Sequence, residues 1–417
     1  MADWPLVPLG EVIRFVGSGA TPRGGKNSYQ ESGIALIRSM NVFDLQFETQ
    51  DLAFLSEDQA AELNRVTVEP ADVLLNITGA SVARCCIAPD QVLPARVNQH
   101  VLIIRTDPEK CDPYWLSYAL ASPYYKACLL NLAGGGATRE ALTKGGMKVF
   151  EVALPAIQVQ RRVAAVLASV DSLIENNRRR IEFLEETARL LYREWFVNFR
   201  YPGHEDIPLV DSELGPVPEG WETGALGDLV EVVKDTVDPE TIPADSPVVG
   251  LEHLPRRSTT LAEWDLASEV GSRRAVFRKG DILFGKIRPY FHKVVETPFD
   301  GFCSTDAVVL RPLRDSDSAQ VLAIASCDDF IAHASASANG TKMPRANMDV
   351  LMRYPVPRPT ESVGQAFEEA AKPLTELAKQ LIRTNSRLTE ARDLLLPRLV
   401  SGDLDISDLE LDLEAVG

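Results

Sequence analysis

Residues 157–196 read IQVQRRVAAVLASVDSLIENNRRRIEFLEETARLLYREWF, and this stretch decides how the chain is organised. Apolar or small residues recur along it in steps of three or four, which places them on one face of a helix. They are Val163, Val166, Val170, Leu173, Asn177, Ile181, Leu184, Ala188, Leu191 and Trp195. The spacing predicts one long helix that needs a partner along its length, because an isolated helix cannot bury such a seam.

A second stretch, near the C-terminal end, carries a matching seam. Its positions are Val363, Phe367, Ala370, Leu374, Leu377, Leu381, Thr384, Leu388, Ala391 and Leu395. The alternating steps of four and three form a heptad pattern, which predicts a coiled coil between the two helices. The predicted contact residues are Val163, Val170, Leu173, Ile181, Leu184, Leu191, Phe367, Leu374, Leu377, Leu381, Leu388 and Leu395. Two ordinary amphipathic core helices are the alternative, and Pro373 is expected to kink the second helix.

At 417 residues, the chain is long enough for two or three domains with cores of their own. The patterns predict an α+β fold with two similar α/β domains separated by two long antiparallel helices. The predicted segments are a first domain at 1–155, a central helix at 156–200, an acidic Pro/Gly linker at 201–220, a second domain at 221–357, a distal helix at 358–400 and an acidic tail at 401–417.

The net charge of −17 is concentrated in two segments. Residues 201–250 contain twelve acidic residues and one basic residue, and residues 401–417 contain six acidic residues and no basic one. The remaining 350 residues are therefore neutral overall. A local basic surface for nucleic acid is not excluded.

The cysteines and the apolar runs point to one cellular compartment. The six cysteines, Cys85, Cys86, Cys111, Cys128, Cys303 and Cys327, show no Cys-x-x-Cys spacing and no histidine at metal-finger distance. Buried free thiols in a reducing cytosol are expected. No run approaches the roughly 18 apolar residues of a membrane span, and no basic segment precedes an apolar stretch at the start. The sequence predicts a cytoplasmic protein without membrane contact.

Residues 221–357 repeat features of residues 1–155 in the same order. Trp4 lies five residues before Leu9-Gly10, and Trp221 lies five before Leu226-Gly227. The other matching pairs are Asp72-Val73-Leu74-Leu75 with Asp281-Ile282-Leu283-Phe284, Val101-Leu102-Ile103-Ile104-Arg105 with Ala307-Val308-Val309-Leu310-Arg311, and Leu154-Pro155 with Val356-Pro357. Four echoes, each block ending in a long helix, predict an internal duplication with a period of about 200 residues.

With these motifs in this order, the chain resembles the specificity (S) subunit of type I restriction-modification systems along nearly its whole length. The motifs that carry the resemblance are Leu9-Gly10-Glu11-Val12, Gly19-Ala20-Thr21-Pro22, Asp72-Val73-Leu74-Leu75, Thr78-Gly79-Ala80, Val97-Asn98-Gln99-His100, Gln160-Arg161-Arg162-Val163-Ala164, Trp195-Phe196-Val197-Asn198-Phe199, Gly285-Lys286-Ile287-Arg288-Pro289-Tyr290 and Leu395-Leu396-Pro397-Arg398-Leu399-Val400-Ser401-Gly402. The entry to the second helix at 357–363 matches the family pattern only loosely.

The resemblance implies two target-recognition domains, each reading one half of a split double-stranded DNA target. It also implies two modification subunits that carry S-adenosylmethionine and methylate adenine, and restriction/translocase subunits that can join and cleave. The helical pair would dock the modification subunits and set the spacer between half-sites. A helix of this length spans on the order of 50 Å at 1.5 Å per residue. Half-sites one turn apart are about 34 Å apart, so helices of this length are long enough to set the distance between half-sites.

The residues themselves show no catalytic constellation. A phosphate-binding loop is absent, and Gly17-Ser18-Gly19 lacks the third glycine of a dinucleotide loop. Asp112-Pro113-Tyr114-Trp115 superficially resembles an amino-methyltransferase motif, but it lacks the second proline and reads as a helix start. The five histidines are scattered without metal or triad spacing. The chain is therefore predicted to be non-catalytic, without a metal or a cofactor of its own.

Basic and polar clusters supply the candidate DNA contacts. In the second domain they are Lys286, Arg288, Tyr290, His292 and Lys293 after a strand, followed by Lys342 and Arg345. In the first domain they are Thr78, Ser81, Arg84, Arg139 and Lys144. Arginine can fork onto guanine O6 and N7 while lysine holds phosphates. The alternative is a solvated basic surface that only keeps the fold soluble.

Three functions are thus weighed. DNA sequence reading inside a methyltransferase–nuclease assembly leads. A protein scaffold whose domains bind no DNA is the second reading. An enzyme that transfers methyl groups by itself is the third, and the missing cofactor loop argues against it.

Overall fold

The computed structural model describes residues 4–22, 24–134, 141–267, 271–340 and 342–406, without the side chains of residues 26 and 27. The chain forms two compact units. Unit 1 comprises Met1–Leu173 and Leu388–Gly417, and unit 2 comprises Ile174–Arg387. Each unit therefore combines a globular part with portions of both long helices.

Unit 1 is built from short strands, four short helices and parts of the long helices. Its strands are β1 Leu6–Pro8, β2 Ile13–Ser18, β3 Ile34–Ile37, β4 Val42–Phe43, β5 Gln46–Phe47, β6 Ala53–Leu55, β7 Thr67–Val68, β8 Val73–Asn76, β9 Cys85–Ile87, β10 Ala95–Val97, β11 Val101–Thr106 and β12 Glu151–Ala153. Its short helices are α1 Glu57–Glu62, α2 Pro113–Ala121, α3 Pro123–Gly134 and α4 Lys144–Val149.

Two four-stranded sheets form the centre of unit 1, with strand orders β2-β11-β8-β9 and β6-β3-β10-β7. Strand β11 is buried on both faces, because alternate side chains of a strand point to opposite sides. Leu102 and Ile104 pack with the helices, whereas Val101 and Ile103 pack with the second sheet. Strands β3 and β8 of these sheets are both largely buried.

Unit 2 repeats this design. Its strands are β13 Leu209–Ser212, β14 Gly215–Pro218, β15 Glu222–Ala225, β16 Val230–Val233, β17 Thr236–Val237, β18 Pro247–Val249, β19 Asp265–Leu266, β20 Arg274–Phe277, β21 Ile282–Gly285, β22 Val294–Glu296, β23 Gly301–Ser304, β24 Ala307–Pro312 and β25 Pro355–Arg358. Its short helices are α6 Ser318–Ser326, α7 Asp328–Ala336 and α8 Met348–Leu351. The sheet order β16-β24-β21-β22 copies β2-β11-β8-β9 of unit 1.

Strand register confirms the internal duplication at the residue level. Val101 pairs with Asn76 in unit 1, and Ala307 pairs with Gly285 in unit 2. This register makes Asp72 equivalent to Asp281 and Arg105 equivalent to Arg311. Both pairs form the same two-point contact: Asp72 accepts from Arg105 Nε and Nη2 at 2.8 and 2.7 Å, and Asp281 accepts from Arg311 at 2.8 and 2.6 Å.

The glycines of the two Leu-Gly motifs have the same structural reason. A Cβ at Gly10 would lie 2.9 Å from the carbonyl oxygen of Lys148, and one at Gly227 would lie 3.1 Å from that of Met352. Real Cβ atoms essentially never approach as closely as the first distance, and the second is tighter than nine in ten real Cβ contacts. The preceding leucines donate their amides to Phe150 and Tyr354, so the N-terminal edge of each unit meets the chain just before its long helix.

The two long helices are α5 Ile157–Tyr192, which continues as a π-helical turn at Arg193–Val197, and α9 Glu361–Val400. Within unit 1, Asp171 of α5 pairs with Arg392 of α9 at 2.8 Å. Within unit 2, Asn177 donates to Asn385 at 2.8 Å, and the rings of Tyr192 and Phe367 are 6.4 Å apart. In unit 2, higher numbers on α5 meet lower numbers on α9, so the portions that meet there are antiparallel.

Burial fits the predicted seam at ten of its twelve positions and not at the other two, and the pairing of these residues across the two helices stays a prediction. Val163, Ile181, Phe367 and Leu381 are buried, and Val170, Leu184, Leu191, Leu374, Leu388 and Leu395 are half-buried. Leu173 and Leu377 are instead 46% and 38% exposed, and their neighbours Ile174 and Ala378 take the buried places. The helices pack against the globular parts as well as each other, which shifts the buried face by one residue. Helix α9 runs without a break through Pro373.

Other segments differ from the sequence expectations in detail. The predicted linker at 201–220 contains the antiparallel hairpin β13–β14. The segment from Tyr114 to Leu130 lies in two helices, α2 and α3, that meet at Ser122. All six cysteines are free, as expected. In the described ranges, no helix combines the length and apolar character that crossing a membrane requires.

Candidate nucleic-acid interface

The loop that follows strand β21 in unit 2 is held by its main chain on two sides. The Lys286 amide donates to the Asp306 carbonyl, and the Arg288 amide donates to the Pro344 carbonyl at 2.8 Å. Arg288 and His292 have φ values of +48° and +53°, so the chain turns sharply at both ends of Pro289–Phe291. Such left-handed positions are rare for non-glycine residues and mark a tightly determined loop.

These ties bring together two clusters that are far apart in sequence. The Arg288 guanidinium donates to the Lys342 carbonyl at 3.2 Å, and Ile287 pairs with Arg345 in an isolated antiparallel bridge. The Arg345 guanidinium lies 3.5 Å from Asp306. The predicted residues Lys286, Arg288, Lys342 and Arg345 therefore lie on one surface, which we call the unit 2 surface.

Two members of the predicted loop cluster have other roles. His292 is only 6% exposed, and its Nε2 lies 2.7 Å from the Ser326 carbonyl, so its assignment as a DNA contact is corrected to a structural role. Burial lowers the pKa of His292 below its usual value. Lys293 directs its amine to the Leu251 carbonyl, and burial lowers its pKa too. Tyr290, by contrast, is 56% exposed.

Sequence reasoning missed two arginines that border this loop. The guanidinium carbon of Arg256 lies 4.2 Å from the centroid of the Phe291 ring. The Arg257 amide donates to the His292 carbonyl at 2.9 Å, while its guanidinium lies 3.3 Å from Asp328. The only signal in the sequence was an adjacent pair of arginines after a proline, about thirty residues before the loop it joins.

A buried glutamate of helix α5 fixes the segment that carries these arginines. Glu185 is 6% exposed, and its Oε1 accepts from Ser258 Oγ at 2.8 Å, from the Thr259 amide at 2.9 Å and from Thr260 Oγ1 at 2.7 Å. One turn further on, Arg189 Nη1 donates to the Arg257 carbonyl at 3.1 Å. A carboxylate that receives several donors is a strong, oriented anchor.

Unit 1 presents the equivalent loop after strand β8. Thr78 pairs with Ala141 in an isolated antiparallel bridge, just as Ile287 pairs with Arg345 in unit 2. The Leu142 amide donates to the Ile77 carbonyl at 2.9 Å. Thr78 Oγ1 lies 2.6 Å from His100 Nδ1. Each unit therefore builds its candidate surface from three equivalent segments: the loop after β8 or β21, the segment before α4 or α8, and the turn before β11 or β24.

The unit 1 loop borders an open cleft of about 690 Å³. Its lining includes the predicted residues Thr78, Ser81 and Arg84, together with His100. The guanidinium carbon of Arg84 lies 5.0 Å from the centroid of the Phe43 ring. Glu48 and Asp51 also line the cleft, so its charge is mixed, unlike the mainly basic unit 2 surface.

The remaining predicted contacts of unit 1 are less well placed. Lys144 is exposed at the first turn of helix α4, where Thr143 caps the helix. Arg139 lies outside the described residues. Asn98 and Gln99 make hydrogen bonds within this region: Asn98 Oδ1 accepts from the His100 amide, and Gln99 Oε1 accepts from Thr21.

One group in the described part of the chain has the composition of a metal site. The ligand atoms of Glu252, His253 and Asp265 lie within 4.8 Å of one another. His253 Nδ1 accepts the Gly250 amide at 2.9 Å, and its Nε2 lies 3.5 Å from Asp265. Both carboxylates are exposed, so this arrangement is accounted for as a polar contact on the surface.

Comparison with known proteins places this geometry in context. A family model described as the type I restriction modification DNA specificity domain matches residues 1–186. The chain is 25% identical over 418 residues to the type I restriction enzyme MjaIX specificity subunit of Methanocaldococcus jannaschii, covering 98% of this chain and 95% of that protein. It is 23% identical over 432 residues to the type I restriction enzyme EcoDI specificity subunit of Escherichia coli, covering 96% and 89%.

A solved structure has the same fold. The crystal structure of the type I restriction-modification system S subunit from M. genitalium aligns with a TM-score of 0.56 and 14% identity, covering 95% of this chain and 96% of that one. At this identity the likeness concerns the fold alone. The predicted fold class, two similar α/β domains with two long helices, is confirmed.

Proposed function

We infer that the chain is a DNA specificity subunit of a type I restriction-modification system, since a DNA specificity domain spans residues 1–186 and specificity subunits align with nearly its full length. It reads DNA sequence for a larger assembly. The scaffold alternative is not favoured, because the matching family model describes DNA specificity.

The duplicated loop is the observation that carries the next step. Each unit sets the loop after its central strand against the segment before its last short helix, through the Thr78–Ala141 and Ile287–Arg345 bridges. The side chains on the two loops differ, while the scaffold beneath them is the same. We propose that each unit reads one half of a bipartite double-stranded DNA target, with Arg288 and Arg345 facing base edges and Lys286 and Lys342 facing phosphates.

The chemistry of the assembly is assigned to other subunits. We propose that two modification subunits bind S-adenosylmethionine and methylate the target, that restriction/translocase subunits can join them, and that this chain is non-catalytic and needs no cofactor of its own. The cytoplasm, where the DNA lies, is the proposed location. The long helices α5 and α9 are proposed to set the spacer between the half-sites and to dock the modification subunits.

The test is the methylated motif of DNA in cells that express the chain with its modification subunits, read by single-molecule sequencing. A bipartite motif that disappears without this chain is expected. Exchanging Thr78, Ser81 and Arg84 for alanine should alter one half of the motif, and exchanging Lys286 and Arg288 should alter the other. A motif that is indifferent to both sets would refute the assignment of the loops.

A further inference from the structure

We propose that Arg256 determines specificity by reading a guanine in the major groove of the half-site bound by unit 2. This inference rests on the proposed function and goes beyond it by naming one side chain and one base. The geometry that points to it is a guanidinium stacked on Phe291 with its donors unoccupied.

The first step is the state of the guanidinium. Arg256 is exposed, and its Cζ lies 4.2 Å from the Phe291 centroid, which is close enough for a cation–π contact that holds the plane of the group. Among the residues that the structure describes, none accepts a hydrogen bond from the Arg256 guanidinium. Its five N–H donors are therefore presented to solvent beside the Phe291 ring.

The second step is a comparison with neighbouring arginines of the same surface. Arg257 is engaged by Asp328 at 3.3 Å, Arg345 lies 3.5 Å from Asp306, and Arg288 donates to the Lys342 carbonyl at 3.2 Å. Arg256 is thus the arginine of this group without a hydrogen-bond or ion-pair partner among the described residues, whereas Arg288 and Arg345 share their donors between these contacts and the base edges proposed for them above. A planar fork with two parallel donors matches the O6 and N7 acceptors of guanine, which adenine and the pyrimidines do not offer together.

The third step is the rigidity of the main chain beneath Arg256. The next residue donates its amide to the His292 carbonyl, and its own carbonyl accepts from Arg189. Glu185 holds residues 258–260, and the Glu296 amide donates to the Thr259 carbonyl at 3.0 Å. A side chain anchored in this way loses little freedom on binding, so its contact with a base is selective rather than adaptable.

The test uses the full complex with its modification subunits and compares Arg256→Lys and Arg256→Ala with Arg273→Ala. Arg273 is the matched control, because it is exposed in the same unit and its guanidinium pairs with Asp238 at 3.0 Å. Methylation rates are measured on DNA carrying the wild-type motif and on DNA with each G·C pair of the two half-sites replaced in turn. Arg256→Lys keeps the charge but loses the fork.

Both Arg256 variants are expected to lose on the order of tenfold discrimination at one G·C pair of one half-site, with the other half-site read as before. Arg273→Ala should retain the wild-type preference. If Arg256→Lys discriminates as the wild type does, or if Arg256→Ala lowers methylation of all substrates equally, Arg256 is only a phosphate contact and the inference is wrong. A wild-type complex without any sequence preference would instead overturn the proposed function itself.

Discussion

At the scale of single residues, each unit contains an equivalent buried ion pair: Asp72 with Arg105 in unit 1, and Asp281 with Arg311 in unit 2. Asp72 and Asp281 are both almost fully buried, and each also accepts an amide three residues earlier, from Glu69 and Arg278, at 2.7 Å. The paired arginine extends from the neighbouring strand. Because the carboxylate satisfies a turn and an adjacent strand together, it fixes the start of the central strand whose other end carries the candidate DNA-contacting loop.

Asp281→Ala is expected to lower the free energy of unfolding by about 3 kcal/mol, since it leaves Arg311 and the Arg278 amide without their acceptor. The measurement is urea unfolding of the full chain. Asp238→Ala is the control, because it removes an exposed partner of Arg273 and should cost less than about 1 kcal/mol. Equal effects of the two substitutions would contradict the role given to Asp281.

His292 gives the stability of unit 2 a pH dependence of known sign. Burial lowers its pKa in the folded protein below the ordinary 6.5, so the unfolded chain binds the proton more readily. Its contribution to stability is therefore present above pH 6.5 and is lost as the pH falls toward the lowered folded value. We expect His292→Gln, which can still donate to Ser326, to lose less stability than the wild type in urea titrations between pH 7 and pH 5.5.

The sequence predicted the cationic members of the unit 2 surface but not which of them face solvent. Lys286 and Arg288 follow a strand, and strand ends commonly carry binding residues. Whether His292 pointed outward depended on a left-handed turn at that residue, which no periodicity reveals. The place of Arg256 beside Phe291 could not be predicted. It arises from a main-chain hydrogen bond between Arg257 and His292, which lie in two segments that the sequence pattern does not connect.

At the scale of elements, the long helices could be predicted in existence and extent, but not in exact phase. A heptad count assumes one buried face. The first turns of α5 pack into the core of unit 1 through Val163, Ala164 and Leu167, so two adjacent faces are buried there. In the middle of the pair, Asn177 and Asn385 bond to each other, and Asn385 also donates to the Ile174 carbonyl. A paired polar contact of this kind favours one register over its neighbours.

Glu185 connects helix α5 to the segment that carries Arg256 and Arg257, beside the unit 2 surface. Its removal should lower both the stability of the protein and the proposed specificity of unit 2. Glu185→Ala leaves the donors at 258–260 without an acceptor, so we expect a loss of about 2 kcal/mol in unfolding free energy and weaker discrimination in the half-site read by unit 2. Glu185→Gln keeps one acceptor oxygen and should recover part of both. Glu186→Ala, which removes an exposed partner of Arg189 at the next position, should change neither. Stability loss without any change in the methylated motif would reduce Glu185 to a structural residue.

At the scale of the whole molecule, duplication separates scaffold from specificity. Equivalent positions such as Gly10 and Gly227 or Asp72 and Asp281 keep the same contacts, whereas the loops above them carry different side chains. The scaffold could therefore be predicted from the motifs repeated in the two halves of the sequence, because its contacts require particular residues. The candidate DNA-contacting surfaces could not, since the proposed reading of two different half-sites requires that they differ.

The whole molecule also sets how strongly the chain alone can hold DNA. Its net charge is −17, and the two candidate surfaces offer about seven cations: Arg84, Lys144, Arg256, Lys286, Arg288, Lys342 and Arg345. Each phosphate contact contributes about −0.9 to the slope of log K against log salt, so the slope for the isolated chain should be no steeper than about −6.

We expect a dissociation constant above about 1 μM at physiological salt, measured by fluorescence anisotropy at 50, 100 and 200 mM salt, and much tighter binding once modification subunits are added. Lys286→Ala should make the slope shallower by about one, and Arg273→Ala should leave it unchanged. Tight, specific binding by the isolated chain would mean that this protein itself supplies the contacts that hold DNA, and that the modification subunits contribute only methyl transfer.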